Sequence, residues 1–138
     1  MTQTILTLLS ALIWWVLYSS AAAIVPAVVV YFMLRMVERT PVVFNRAYFA
    51  CLLWTLFGIA TAGLVLLAQK SSPAAGYALF ASPWMRGALI VDMLAGVLLV
   101  WRLVPRADAR RVRITSACMA VAAVMVLALM LGAILVSR

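Results

Sequence analysis

Hydrophobic and polar positions alternate along this chain on the scale of whole segments, not of single residues. Ile5 to Leu34 carries no charge over 30 residues, and Ala47 to Gln69 none over 23. Gly87 to Trp101 carries one charge, Asp92, and Ile114 to Ser137 carries none. A helix needs about 20 apolar residues to cross a hydrocarbon core. The pattern therefore predicts four membrane-crossing helices, an all-α integral membrane fold over 1–138 as a single domain. The breaks are short, so the crossings use nearly the whole chain.

Local signals place the ends. Thr40-Pro41 and Ser82-Pro83 each read as an N-cap followed by proline at the first helical position. The second helix is thus expected from about Thr40 to Gln69, and the third from Ser82 until Pro105 closes it. Asp108 is expected to cap the fourth, which would put Arg110, Arg111 and Arg113 in its first turn. The first segment is longer than a bilayer needs. Leaving the membrane near Met33, it would set Trp14, Trp15 and Tyr18 at the outer interface and carry Pro26 as a kink tolerated by its neighbours. Met1 to Thr4 has no basic residue, and the apolar run continues past the small residues Ser19 to Ala23. Retention of this segment is expected, not cleavage as a signal peptide. Trp84 and Trp101 would mark the two interfaces of the third helix, and Tyr77 to Phe80 would lie in an interface.

Charge adds orientation. Of 138 residues 69% are hydrophobic and 10% charged, and the net charge is +8. A soluble chain so basic would suggest nucleic acid; here the charge is a topological signal and no nucleic-acid partner is expected. Arg35, Arg39 and Arg46 fall in the first break, and Arg102, Arg106, Arg110, Arg111 and Arg113 in the third. The second break has Lys70 and Arg86, and the end of the chain Arg138. Basic residues concentrate in cytoplasmic loops. Both termini are therefore expected in the periplasm of a bacterial inner membrane, with the arginines facing anionic lipids or an acidic partner. Positive charge in the first turn of a helix opposes the macrodipole, so an anion should compensate.

A repeat emerges at an offset of 67. Arg35, Val37, Arg39, Arg46, Ala50 and Cys51 meet Arg102, Val104, Arg106, Arg113, Ala117 and Cys118. Self-similarity at long period signals repeated units. The expected architecture is two tandem helical hairpins, unit 1 about 14–69 and unit 2 about 82–137, related by an axis along the membrane normal.

Candidate chemistry is sparse. Asp92 is the one acid inside a predicted span, roughly 14 Å below the outer end at 1.5 Å per residue. Such residues are costly and commonly functional. Its helical neighbours Ala88, Ala95 and Gly96 are small, which places it on a packing face. Ser19, Ser20, Thr55 and Thr61 are its candidate hydrogen-bond partners, for an ion or proton role or for a structural bond. The repeat sets Val25, not an acid, at the equivalent position. Cys51 and Cys118 read as packing residues, with no C-x-x-C and no compact metal spacing. The chain has no histidine, which removes the commonest general base and haem ligand. No catalysis, cofactor or metal is expected. Two functions remain: a non-catalytic accessory or scaffold subunit of a bacterial inner-membrane complex with larger membrane partners, or a small homo-oligomeric ion- or proton-coupled channel or transporter using Asp92.

Overall fold

The computed structural model describes residues 2–39, 41–69, 82–106 and 110–136. Four helices follow in order: α1 (Thr2–Glu38), α2 (Phe44–Gln69), α3 (Pro83–Leu103) and α4 (Ile114–Val136). Each contains a segment long and apolar enough to cross a membrane. The expected Thr40 and Asp108 caps and the Tyr77–Phe80 stretch lie outside the described residues.

Two boundaries differ from the sequence expectation. α2 starts at Phe44, three residues beyond Pro41, and α4 starts at Ile114, after the arginines expected in its first turn. The reason is a tertiary contact. The segments after α1 and α3 meet at an antiparallel bridge between Val42 and Arg106, and a second antiparallel bridge, between Pro105 and Arg111, lies within the segment after α3. Backbone engaged in these bridges cannot enter the helix. α1 stops where Arg39 turns left-handed, at φ 51°, a common way to terminate a helix. Pro41 lies just beyond, which discourages helical geometry in the residue before it. α3 begins as expected, with Ser82 extended and Pro83 at its first turn.

The helices run antiparallel in ring order. α1 packs most extensively on α2 and α2 on α3, while α3 and α4 share the smallest interface of the four adjacent pairs. The core gathers at the end where α1 and α3 finish and α2 and α4 begin. It comprises Ala27, Val30 and Leu34 of α1, Ala47, Ala50, Cys51 and Trp54 of α2, Val100 of α3, and Ala117, Ala120 and Val121 of α4. Val42, Val104 and Val112 from the connecting segments close it. The i, i+3, i+4 spacing gives each helix a single buried stripe, and the alanines let the backbones approach closely.

Toward the opposite end the bundle opens. α1 at 1.5 Å per residue is about 55 Å long, and α3 about 31 Å. Every residue from Gln3 to Tyr18 is exposed, including Ile5, Leu6, Leu8, Leu9, Leu12 and Ile13. Trp14 and Tyr18, one turn apart, stack with centroids 5.6 Å apart on this projecting part of α1. Pro26 sits within the continuous helix.

Candidate functional site: Asp92, Trp54 and the interhelical cleft

Two acids are placed by this fold, and each meets a different environment. Asp92 lies on α3 facing α2. The Trp54 indole N–H is shared between the Asp92 main-chain carbonyl at 3.0 Å and its carboxyl Oδ2 at 3.1 Å. Small residues make this approach feasible. A Cβ on Gly96 would lie 2.5 Å from the Trp54 ring, and one on Gly58 would lie 3.0 Å from Asp92 Oδ1. The small-residue face around Asp92 is thus the seat of an indole, with Gly58 the matching gap on α2. Asp92 Oδ1 is buried without a hydrogen-bond partner among the described residues.

None of the four hydroxyl candidates bonds to Asp92. Thr55 Oγ1 donates to carbonyls of its own helix, Cys51 at 3.0 Å and Leu52 at 2.9 Å, and lies 3.4 Å from the Ser19 carbonyl. Thr61 donates to the Gly58 carbonyl at 3.0 Å, and Ser19 to the Trp15 carbonyl at 2.7 Å. Ser20 instead joins the Tyr48 hydroxyl at 2.6 Å, tying α1 to α2. A hydroxyl one turn from a backbone carbonyl satisfies itself locally, which leaves the indole as the reachable donor. A depth comparison would have found it. Trp54 lies ten residues into α2 and Asp92 eleven before the end of α3, so antiparallel helices set them level.

A cleft of about 420 Å³ opens beside this pair. α1 contributes Ala22, Val25, Pro26 and Val29, α2 contributes Trp54, Thr55, Gly58 and Ile59, and α4 contributes Val124, Met125, Leu127, Ala128 and Leu131. Asp92 is the contribution of α3 and, among the described residues, the one ionisable side chain in the lining. Proline has no N–H, so Pro26 withdraws the usual helical donor from the Ala22 carbonyl on the same wall.

The second acid, Glu38, is not singled out by the sequence. It ends α1, 7% exposed overall. Its Oε1 accepts the Arg113 backbone N–H at 3.1 Å and the Ser116 hydroxyl at 2.5 Å, and its Oε2 pairs with the Arg106 guanidinium. Arg113 is the residue before α4, and its carbonyl accepts the Ala117 N–H at 3.1 Å. Glu38 therefore caps α4 from another helix, at the positive end of its macrodipole. One compensating anion for the arginine cluster belongs to the chain itself. The clue was that Glu38 is the one acid among the arginines closing the first segment, four residues after the apolar Leu34.

The other arginines of that cluster are spread over the same end. Arg35, Arg39, Arg46, Arg102, Arg110, Arg111 and Arg113 are exposed. Arg35 donates to the Tyr31 hydroxyl at 3.2 Å, and Arg111 sits over the Trp101 ring at 5.5 Å. Cys51 is buried and Cys118 exposed, both as free thiols.

These features define a class, a helical protein with four candidate membrane spans and, among the described residues, an acid within one of them beside an interhelical cleft. Comparison with family models, with curated proteins and with solved structures gives no match.

Proposed function

We propose that the chain is a non-catalytic accessory or scaffold subunit of a bacterial inner-membrane complex, held by larger membrane partners through α1. The observation that supports this reading is the length of α1. If α3 fits the roughly 30 Å hydrocarbon core, α1 extends past it by about 24 Å. That extension is mostly apolar and exposed from Gln3 to Tyr18. Apolar surface beyond the hydrocarbon core is unfavourable in water, and a partner's surface would cover it. In this reading the eight arginines of the Glu38 end face the cytoplasm and its anionic lipids, and both termini are periplasmic.

Duplication of a helical hairpin belongs to the same proposal. The offset-67 pairs Val25 and Asp92, and Gly58 and Met125, all line the one cleft, and Ala50 and Ala117 are both fully buried. Divergence accounts for Cys51 buried against Cys118 exposed.

Purification in mild detergent tests the reading. The expected result is a stoichiometric assembly with larger membrane proteins that is lost when residues 2–13 are deleted, while the truncated chain stays helical. A homo-oligomer free of other chains would instead support a second reading, a small ion- or proton-coupled channel or transporter. That alternative draws on Asp92 at the wall of the cleft.

A further inference from the structure

We propose that the cleft beside Asp92 is a binding site for a lipophilic monovalent cation, a delocalised or substituted onium with apolar arms. Three features of the cleft converge on that chemistry. Its volume, about 420 Å³, lies in the range of small-molecule sites. Its walls are aliphatic apart from Trp54, Thr55 and Asp92, so an occupant must be largely apolar. Its one ionisable group is an acid, and the partner an acid selects in an apolar surrounding is a cation.

The local geometry favours the same occupant. Trp54 holds one carboxyl oxygen of Asp92 in place at 3.1 Å, while Oδ1 has no hydrogen-bond partner among the described residues. Trp54 itself lines the cleft, 4% exposed and with its ring packed on Gly96. Across the cleft, Pro26 frees the Ala22 carbonyl of its ordinary helical donor, and both residues line the wall. A fully substituted onium has no N–H to satisfy and spreads its charge, so it leaves less solvation behind than a protonated amine does. A neutral lipid chain would fill the volume but would leave the carboxyl to take up a proton, whereas a cation pairs with its charged form. This site does not depend on whether the chain assembles with larger partners or with itself.

Equilibrium binding of radiolabelled tetraphenylphosphonium to the full chain in zwitterionic-lipid nanodiscs tests the proposal. Saturable binding near one per chain is expected. Asp92→Asn should weaken it by at least about tenfold, since the charge partner is lost, and Asp92→Glu should largely restore it. Ala128→Phe, which fills the cleft and leaves the acid intact, should also abolish binding. Uncharged triphenylphosphine oxide should bind far more weakly than the cation. The proposal is overturned if tetraphenylphosphonium does not saturate, if Asp92→Asn or Ala128→Phe binds as the native chain does, or if the uncharged probe binds equally well. Should Asp92→Asn fail to fold, Ala128→Phe and the uncharged probe decide the question.

Discussion

At the scale of single residues, the two placed acids do different work. Asp92 accepts one indole N–H through both its carboxyl and its main-chain carbonyl. Asparagine at this position keeps the shape and an acceptor for Trp54, so Asp92→Asn should melt close to the native chain in detergent. Leucine removes the side-chain acceptor but leaves the carbonyl. Asp92→Leu should therefore cost about 1 kcal/mol, the low end for a buried polar group deprived of a partner. A loss of several kcal/mol for asparagine would show that the charge itself holds the helices. Glu38 has more partners and more at stake. Glu38→Ala strands the Arg106 guanidinium, the Ser116 hydroxyl and the Arg113 N–H together, and should cost about 3 kcal/mol. Glu38→Gln retains an acceptor for the α4 end and should lose about half as much. Equal stability of the native and alanine forms in chemical denaturation would remove the cap from the account of the fold. Neither partnership was legible from composition. Asp92 stands out because acids are rare in apolar runs, but its donor is set by the depth of Trp54 on the antiparallel α2, which no local pattern encodes. Glu38 carries no local signal of its role, because its partners lie 68 to 78 residues further along the chain.

At the scale of elements, the apolar runs announced all four helices, and proline marked both ends of α3. The start of α3 followed its Ser-Pro signal, with Ser82 extended and Pro83 at the first turn. The starts of α2 and α4 did not follow theirs, since the bridges of Val42 with Arg106 and of Pro105 with Arg111 hold those residues extended. The pairing of Val42 with Arg106, between two segments distant in sequence, leaves no local signature. The end of α1 offers a direct check on the local physics. Arg39 adopts a left-handed φ of 51°, which costs a non-glycine residue roughly 1 kcal/mol. Arg39→Gly should therefore stabilise the protein by about 0.5–1 kcal/mol, read as a raised midpoint in thermal unfolding. A lowered midpoint would mean that the arginine side chain gives more at this position than its backbone costs.

At the scale of the whole molecule, the bundle is asymmetric along its axis. One end is sealed by a core, two loop bridges and the Glu38 cap, and it carries eight of the eleven basic residues. The other end opens past the cleft into the long apolar extension of α1. The charge asymmetry predicts that the sealed end is cytoplasmic. Alkaline phosphatase fused at Arg138 should then be active, and a reporter that matures only in the cytoplasm should stay silent there; the reverse pattern would invert the orientation. The central claim is that partner protein, not lipid, covers the α1 extension. Site-specific photo-crosslinking in the native membrane addresses it most directly, with probes at Leu9 on the extension and at Leu98 on α3, which are 52% and 56% exposed. The prediction is a discrete protein adduct larger than the chain itself from Leu9 and only lipid adducts from Leu98. Lipid adducts alone at both positions, or a Leu9 adduct only to a second copy of this chain, would contradict the claim.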